Sequence, residues 1–127
     1  PKVAVLAAKE KVDPKMQATM DAEELKQMCI RGEFGSAVVD GPFALDNALS
    51  EEACKTKGIV SEVGGDADIV LVPVIEAGNV FYKSLTILMQ LEPAGLILGT
   101  KKPIVLTSRS DSDKAKLNSI ALAVINA

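Results

Sequence analysis

Apolar positions in this chain fall into short runs of the kind that form buried strands, separated by longer stretches with helical spacing. Five such runs are predicted to be strands, at residues 2–6, 36–39, 68–72, 95–98 and 103–106. Strands that alternate with helices are typical of parallel β-α-β units. We therefore predict an α/β fold with a mostly parallel sheet and helices on both of its faces.

Two helices are predicted in the first half of the chain. A capping box, with Asp21 as the cap and Glu24 three residues later, predicts that the first helix begins at Asp21. The preceding residues, 11–20, are interpreted as a loop. A second helix is predicted from Pro42 to Lys55, because proline suits a first helical turn and Gly58 follows the end.

Two more helices are predicted in the second half. One follows Gly78 and carries apolar side chains until Pro93 stops it. The last begins near Asp111 and has an apolar face that includes Leu117 and Val124. Each of these helices would follow a strand, as the β-α-β arrangement requires.

Polar stretches follow four of the predicted strands. They are residues 8–10, 40–42, 73–79 and 107–113. In parallel α/β sheets, ligands bind at the carboxyl ends of the strands. We therefore expect a site at this edge, although the same placement serves many different functions.

The composition excludes several kinds of active site. The chain contains no histidine, which removes Ser-His-Asp and Cys-His nucleophilic systems and His-ligated zinc. Its two cysteines are too few for a disulfide scaffold or a zinc site made of cysteine alone. We expect no metal at the site and a reduced, cytoplasmic setting.

Charge and length exclude other classes of protein. A net charge of −3, with one tyrosine and three phenylalanines, argues against a nucleic-acid binder, which needs basic surface and stacking rings. The longest apolar run, 69–75, contains Pro73 and is far too short to span a membrane. The 127 residues suit one compact domain. Because the chain starts at Pro1 rather than Met, we expect it to be part of a longer protein.

Residues 107–113 are the strongest chemical candidate in the sequence. They combine several hydroxyl groups, including that of Ser108, with the guanidinium of Arg109. Backbone N–H groups at a helix start, hydroxyls and an arginine fork together bind phosphate or a developing oxyanion. The structural alternative is that a serine or Asp113 caps the last helix while Arg109 pairs with Asp111 or Asp113 in solvent. The residue types taken alone favour this alternative.

Two further positions are candidates for contacts with a ligand. At the second strand-to-helix crossing, Gly78 permits close backbone approach, Asn79 can cap a helix or bind a ligand, and Lys83 lies one turn later. A capped helix with a surface lysine explains these residues equally well. Asp40 accepts a hydrogen bond either from a ligand or from the next loop, and the sequence favours the loop.

Six stretches, taken in order, resemble the phosphate acetyltransferase/phosphate butyryltransferase family. The most distinctive is VDGPFALDNALS at residues 39–50. The others are residues 1–6, 65–69, 75–80, 82–85 and 106–123. Any one stretch is a weak signal, but the order and spacing of the six stretches are specific. Their residues resemble those of butyryl-type members more closely than those of acetyl-type members.

The resemblance implies a two-domain enzyme with a fold related to isocitrate and isopropylmalate dehydrogenases. Residues 1–102 would form the second α/β domain, and residues 103–127 would return to pack on a first domain outside this chain. The active site would lie in the cleft between the domains. The 127 residues alone would then be inactive or nearly so, and the full-length protein would be a homo-oligomer.

The reaction implied by the resemblance is transfer of a short acyl group between coenzyme A and phosphate, without a metal or cofactor. Ser108 and Arg109 match the family's Ser-Arg pair. Ser108 would orient the thioester or its leaving sulfur, and Arg109 would stabilise phosphate and transition-state charge. Candidates for binding the acyl-CoA and phosphate substrates are Gly78, Asn79, Lys83, Asp40 and Asp111.

Two positions depart from the acetyl-type pattern. Acetyl-type members carry an aspartate, proposed as a base, seven residues after the serine, where this chain has Ala115. They also carry an arginine where this chain has Ile87. Both differences are compatible with a butyryl-type pocket for a longer acyl chain, and they leave the catalytic base open.

A non-catalytic acyl-CoA-binding regulatory domain is the alternative function, since related domains occur fused to other enzymes. The intact Ser108-Arg109 pair and the similarity of the six stretches to butyryl-type members favour the enzyme.

Overall fold

The computed structural model describes all 127 residues, which form two compact units, Pro1–Gly78 and Asn79–Ala127. We call these the N-terminal unit and the C-terminal unit. The strands are β1 (Lys2–Leu6), β2 (Val38–Phe43), β3 (Ile69–Leu71), β4 (Leu96–Ile97) and β5 (Ile104–Val105). The helices are α1 (Gln17–Ile30), α2 (Leu45–Leu49), α3 (Glu51–Lys57), α4 (Ile75–Lys83) and α5 (Asp113–Ile125). None of the helices combines the length and apolar composition needed to cross a lipid bilayer.

The N-terminal unit is built on a three-stranded parallel sheet in the order β2-β1-β3. The central strand pairs on both sides, so that Val3 lies opposite Val39 on one neighbour and Ile69 on the other. This arrangement confirms the α/β prediction for the first three strands.

The core of this unit lies on both faces of the sheet, because successive strand residues point to opposite faces. Ala4 faces a cluster with Phe43, Ala48 of α2 and Val63. Its neighbour Val5 faces Val39 and Ala22 of α1 in a second cluster, against which Leu25 and Phe34 pack. Helices therefore cover both faces, as predicted.

The C-terminal unit differs from the predicted parallel arrangement. Its strands β4 and β5 form a separate two-stranded antiparallel sheet, with Leu96 opposite Val105. The buried Ser119 of α5 supports this sheet, since its hydroxyl accepts from Gly95 N–H at 2.9 Å and donates to the Ala115 carbonyl at 2.7 Å. Residues 107–113 therefore follow a strand of a different sheet, and the prediction that they lie at the parallel edge is wrong.

The start of the first helix was predicted wrongly. Helix α1 begins at Gln17, so residues 17–20 are not a loop, and Asp21 lies inside the helix, where it accepts from the Gln17 amide at 2.7 Å. The reason is a tether that the pattern does not reveal. The buried Thr19 hydroxyl accepts from Asp13 N–H at 2.8 Å and donates to backbone carbonyls of the preceding turn.

The second predicted helix is in fact two short helices. Pro42 is buried in strand β2 rather than in a first helical turn. The helix is interrupted at Ser50, whose hydroxyl accepts from Ala53 N–H at 3.2 Å and so caps α3. Gly58 ends α3 with a φ of 67°, as its position predicted.

Helix α4 begins at Ile75, three residues before Gly78. Gly78 therefore lies inside the helix, where a Cβ atom would approach the Val72 side chain to 2.9 Å. The helix ends at Lys83, and a π-helical turn over Ser84–Leu88 continues it before Pro93. Helix α5 begins at Asp113, two residues after the predicted start.

Candidate functional site

The loop between β5 and α5 in the C-terminal unit brings polar side chains from two distant parts of the sequence together. The ammonium of Lys83, at the end of α4, donates to Ser108 Oγ at 3.1 Å and to Ser110 Oγ at 3.2 Å. The two serine oxygens are 2.9 Å apart. Two predicted site residues, Lys83 and Ser108, are thus in direct contact, and Ser110 joins them.

Asp111 shapes this loop from within. Its Oδ2 accepts from Ser108 N–H at 2.7 Å and from the Tyr82 hydroxyl at 3.1 Å, while Asp111 N–H donates to the Ser108 carbonyl at 3.1 Å. Burial, then the hydrogen bond to Asp111, raises the pKa of Tyr82, so its hydroxyl stays a donor. Asp111 therefore holds the backbone of Ser108 in place, and its contact with substrate stays a prediction.

Arg109 lies exposed on the same loop and is free to bind an external anion. It forms no ion pair with Asp111 or Asp113, so that part of the structural alternative is not observed. The capping part is confirmed, because Ser112 Oγ accepts from Ala115 N–H at 3.1 Å at the start of α5. Capping and an anion site thus use different residues of one loop.

A cavity of about 340 Å³ adjoins the loop within the C-terminal unit. Its lining includes Ser110 and Asp111 on one side, and Ile87 and Leu91 on another. Ala115, which is buried, also contributes to the wall. Ile87 and Ala115, which the resemblance contrasts with charged residues of acetyl-type members, both line this cavity.

Asp40, in the N-terminal unit, has local partners for both carboxylate oxygens. Oδ1 forms an ion pair with Lys26 at 2.8 Å, and Oδ2 accepts from the Ser61 hydroxyl at 2.5 Å. The hydrogen bond that Lys26 donates to Asp40 is the main cause that raises the pKa of Lys26, against the opposing effect of burial. Asp40 therefore accepts from a loop, as the sequence favoured, but from the loop after α3 rather than the next one, and its contact with substrate stays a prediction.

Gly78 and Asn79 both lie within α4, which contradicts the prediction that Asn79 stands at a helix start. Asn79 is exposed and lies four residues before Lys83 on the same helix, so the two side chains share one side. Packing explains the glycine at position 78, because a Cβ atom there would come too close to the Val72 side chain. Any contact of these two residues with substrate stays a prediction.

Tyr82, which donates to Asp111, and Ser110, which accepts from Lys83, were not predicted from the sequence as site residues. Tyr82 precedes Lys83 in the stretch of residues 82–85, so its position next to a predicted site residue could have indicated it. The contact between Lys83 and Ser110 spans 27 residues and has no signal in the local pattern.

Neither cysteine is placed to act as a nucleophile. The buried Cys54 donates to the Asn47 carbonyl at 3.1 Å, and burial raises the pKa of its thiol. The Cys29 sulfur accepts from Val39 N–H at 3.2 Å. No group of three or more histidine, cysteine, aspartate or glutamate side chains is arranged to hold a metal ion.

Comparison with known proteins identifies the chain's relatives. Residues 1–124 match the family model described as "Phosphate acetyl/butaryl transferase". The chain is 54% identical over 125 residues to phosphate butyryltransferase of Clostridium acetobutylicum, and equally so to phosphate acetyltransferase of Thermotoga maritima. Each match covers 98% of this chain and 42% of the relative.

A solved structure agrees with these matches. The crystal structure of a branched-chain phosphotransacylase from Enterococcus faecalis V583 superposes with a TM-score of 0.83 at 44% identity. The match covers 98% of this chain and 44% of that one. The chain thus spans less than half the length of these relatives. It belongs to the phosphate acetyltransferase/phosphate butyryltransferase family.

Proposed function

We propose that the complete protein containing this chain transfers a short acyl group between coenzyme A and phosphate, with butyryl-CoA and phosphate giving butyryl phosphate and CoA. The observation that carries the proposal is the loop of Ser108 and Arg109. The loop supplies the hydroxyl and the guanidinium, and Lys83 at the end of α4 brings an ammonium to Ser108, in a chain of the phosphate acetyltransferase/phosphate butyryltransferase family.

The chemistry of this loop suits a transfer between two anionic partners. Phosphate attacks the thioester carbonyl, a tetrahedral oxyanion forms, and CoA leaves as a thiolate. The exposed guanidinium of Arg109 offers a fork of N–H donors that matches the oxygens of phosphate. The Ser108 hydroxyl, held by Asp111 through its backbone, would orient the thioester. Coenzyme A is a substrate in this scheme, and no metal or cofactor takes part.

The cavity beside the loop supports a butyryl-type preference. The lining is mixed: it includes the carboxylates of Glu92 and Asp111, and its apolar part is formed by Ile87, Leu91, Pro93 and Ala115. Burial of each additional methylene against the apolar part of the wall favours the longer acyl chain, by a factor of about 10 for a well-formed hydrophobic contact. We therefore propose butyryl-CoA over acetyl-CoA as the preferred substrate.

Substitution of the lining tests this preference. We expect Ile87→Arg to lower the ratio of kcat/KM for butyryl-CoA to that for acetyl-CoA by about 10-fold or more, because a charged side chain replaces apolar wall. Leu88→Arg is the matched control, since Leu88 is exposed on the next position and does not line the cavity. If the ratio of the two kcat/KM values is unchanged in Ile87→Arg, the cavity does not recognise the acyl chain.

The architecture of the whole protein is part of the same proposal. Residues 1–102 would belong to the second domain of a fold related to isocitrate and isopropylmalate dehydrogenases, and residues 103–127 would pack on the other domain. The boundary between the N-terminal and C-terminal units falls after Gly78 in the sequence, inside the proposed domain of residues 1–102. The enzyme would be a cytoplasmic homo-oligomer, and the 127 residues alone would be inactive.

Release of the CoA thiol from butyryl-CoA, with and without phosphate, tests the function in the complete protein. We expect release that depends strictly on phosphate. Release without phosphate would indicate a thioesterase. Binding of acyl-CoA with no release would instead support the non-catalytic regulatory domain.

A further inference from the structure

Lys83 is the one cation that is partly buried and has no carboxylate partner. Eight of the fourteen lysine and arginine side chains form ion pairs, which leaves six. The other five unpaired cations are exposed. They are Lys11, Lys15, Lys101, Lys102 and Arg109. The charge of Lys83 is therefore held in a sheltered position without a counter-ion.

The contacts of Lys83 fix its ammonium without neutralising it. It donates to the hydroxyls of Ser108 and Ser110, and it lies 5.6 Å from the centre of the Tyr82 ring, whose face attracts a cation. The nearby Asp111 uses its Oδ2 for Tyr82 and the Ser108 backbone, and it forms no ion pair with Lys83. A neutral shell of this kind leaves the positive charge available to a bound anion.

The two serines also keep one proton for a ligand. An ammonium only donates, so both serine oxygens accept from Lys83. Two hydroxyls carry two protons, and the bond of 2.9 Å between Ser108 and Ser110 uses one of them. One O–H group therefore remains to be donated to a bound group next to the ammonium, and it belongs to Ser108 when Ser110 is the donor within the pair.

We propose that Lys83 is a catalytic residue that, together with the Ser108 hydroxyl, stabilises the negative charge on the sulfur of coenzyme A as the thioester breaks. This inference rests on the proposed acyl transfer. The phosphate oxygen forms a bond to the acyl carbon, the carbon–sulfur bond breaks, and its electron pair goes to sulfur. The proton of hydrogen phosphate ends on the CoA thiol.

The arrangement suits a sulfur atom better than phosphate. One N–H of the ammonium and one serine O–H remain for a ligand after these contacts, which suits a single-atom thiolate, whereas phosphate is matched by the fork of the exposed Arg109. Position 115, which lines the adjacent cavity, is alanine, so no carboxylate at that position handles the thiol proton. A fixed positive charge at Lys83 favours the thiolate without a base.

Titration of CoA bound to the complete protein tests the assignment directly. The thiolate absorbs in the ultraviolet, so its formation can be followed as pH rises. We expect the thiol of bound CoA to ionise about 1 to 3 pH units lower than that of free CoA, because of the neighbouring charge. In Lys83→Met this shift should disappear, and in Lys83→Arg much of it should return.

Turnover provides the second measurement. We expect Lys83→Met to lower kcat with butyryl-CoA by about 10²- to 10³-fold, the usual loss for one group that stabilises transition-state charge. Lys101→Met, which removes an exposed and unpaired lysine of the same unit, should turn over like wild type. Circular dichroism and thermal unfolding check that each variant is folded.

The outcomes separate this inference from the proposed function. If wild type shows phosphate-dependent turnover but bound CoA ionises equally in wild type and Lys83→Met, the role of Lys83 is wrong and the function stands. A folded Lys83→Met that changes only the KM for phosphate would place the lysine at the other substrate and also overturn the inference. A wild-type protein without phosphate-dependent release of CoA overturns both.

Discussion

The two units of this chain differ in how they use buried apolar and charged side chains. Eight of the nine buried apolar residues lie in the N-terminal unit, and only Ala115 lies in the C-terminal unit. Six of the eight lysine and arginine side chains of the N-terminal unit form ion pairs, against two of six in the C-terminal unit.

This difference separates a scaffold from a site. Charges that pair with one another hold elements in place, as Asp40 does between Lys26 and Ser61. Charges without partners, such as Lys83 and Arg109, retain their capacity to bind an anion. The small core of the C-terminal unit agrees with the proposal that residues 103–127 pack on another domain of the complete protein.

The largest expected effect is on turnover, from a change in the C-terminal unit. We expect Arg109→Ala in the complete protein to lower kcat/KM by about 10²- to 10³-fold, because an exposed guanidinium without an internal partner is free to stabilise the reacting phosphate. The same change should hardly alter stability, since Arg109 makes no ion pair. Steady-state kinetics with butyryl-CoA and phosphate provide the measurement.

The other arginine of the chain is a matched control. Arg31, in the N-terminal unit, pairs with Glu24 and Glu33 on the surface, so Arg31→Ala should leave turnover near that of wild type. Equal kinetics in the two arginine variants would show that Arg109 has no role in turnover. The proposed difference between the two units would then be wrong.

The next effect is on stability, from a change in the N-terminal unit. Phe43 is 3% exposed and packs with Ala4, Ala48 and Val63, so Phe43→Ala should lower the free energy of unfolding by about 3–5 kcal/mol. Leu117 in the C-terminal unit is 65% exposed, and in the isolated 127-residue chain Leu117→Ala should cost less than about 0.5 kcal/mol. Urea unfolding of this chain measures both, and similar losses would contradict the unequal distribution of the core.

The smallest effect concerns the pH dependence of stability. Hydrogen bonds from Lys57 lower the pKa of Glu10 and of Asp46, and these two carboxylates raise the pKa of Lys57. The carboxylates therefore stabilise the fold above their unfolded-state pKa, and this contribution is lost as pH falls through their lowered values. The contribution of Lys57 is present below its unfolded-state pKa and is lost as pH rises through the raised value.

We accordingly expect Lys57→Met to lower the melting temperature slightly at neutral pH, with a difference that shrinks below about pH 4 as the carboxylates become protonated. Lys55→Met is the control, because Lys55 pairs only with the exposed Glu51. Thermal unfolding at several pH values provides the test. A difference that stays constant into acid would show that Lys57 acts through packing rather than charge.

Much of the fold followed from local pattern. Strand β1 was predicted with its observed bounds, and Gly58 ends a helix where a residue with positive φ was expected. The predictions failed where a distant or unexpected side chain decides the element. Thr19 starts α1 early by bonding to Asp13, and Ser50 divides a predicted helix by capping its second half.

The sequence by itself determined the family, the parallel β-α-β order of the first three strands and the loop that carries Ser108 and Arg109. These depend on residue type and spacing along the chain, which are local properties. Only the tertiary structure decided that β4 and β5 pair antiparallel, that Asp111 holds the Ser108 backbone and that Lys83 meets the two serines. Such contacts join residues up to 27 positions apart, and their geometry depends on how whole elements pack.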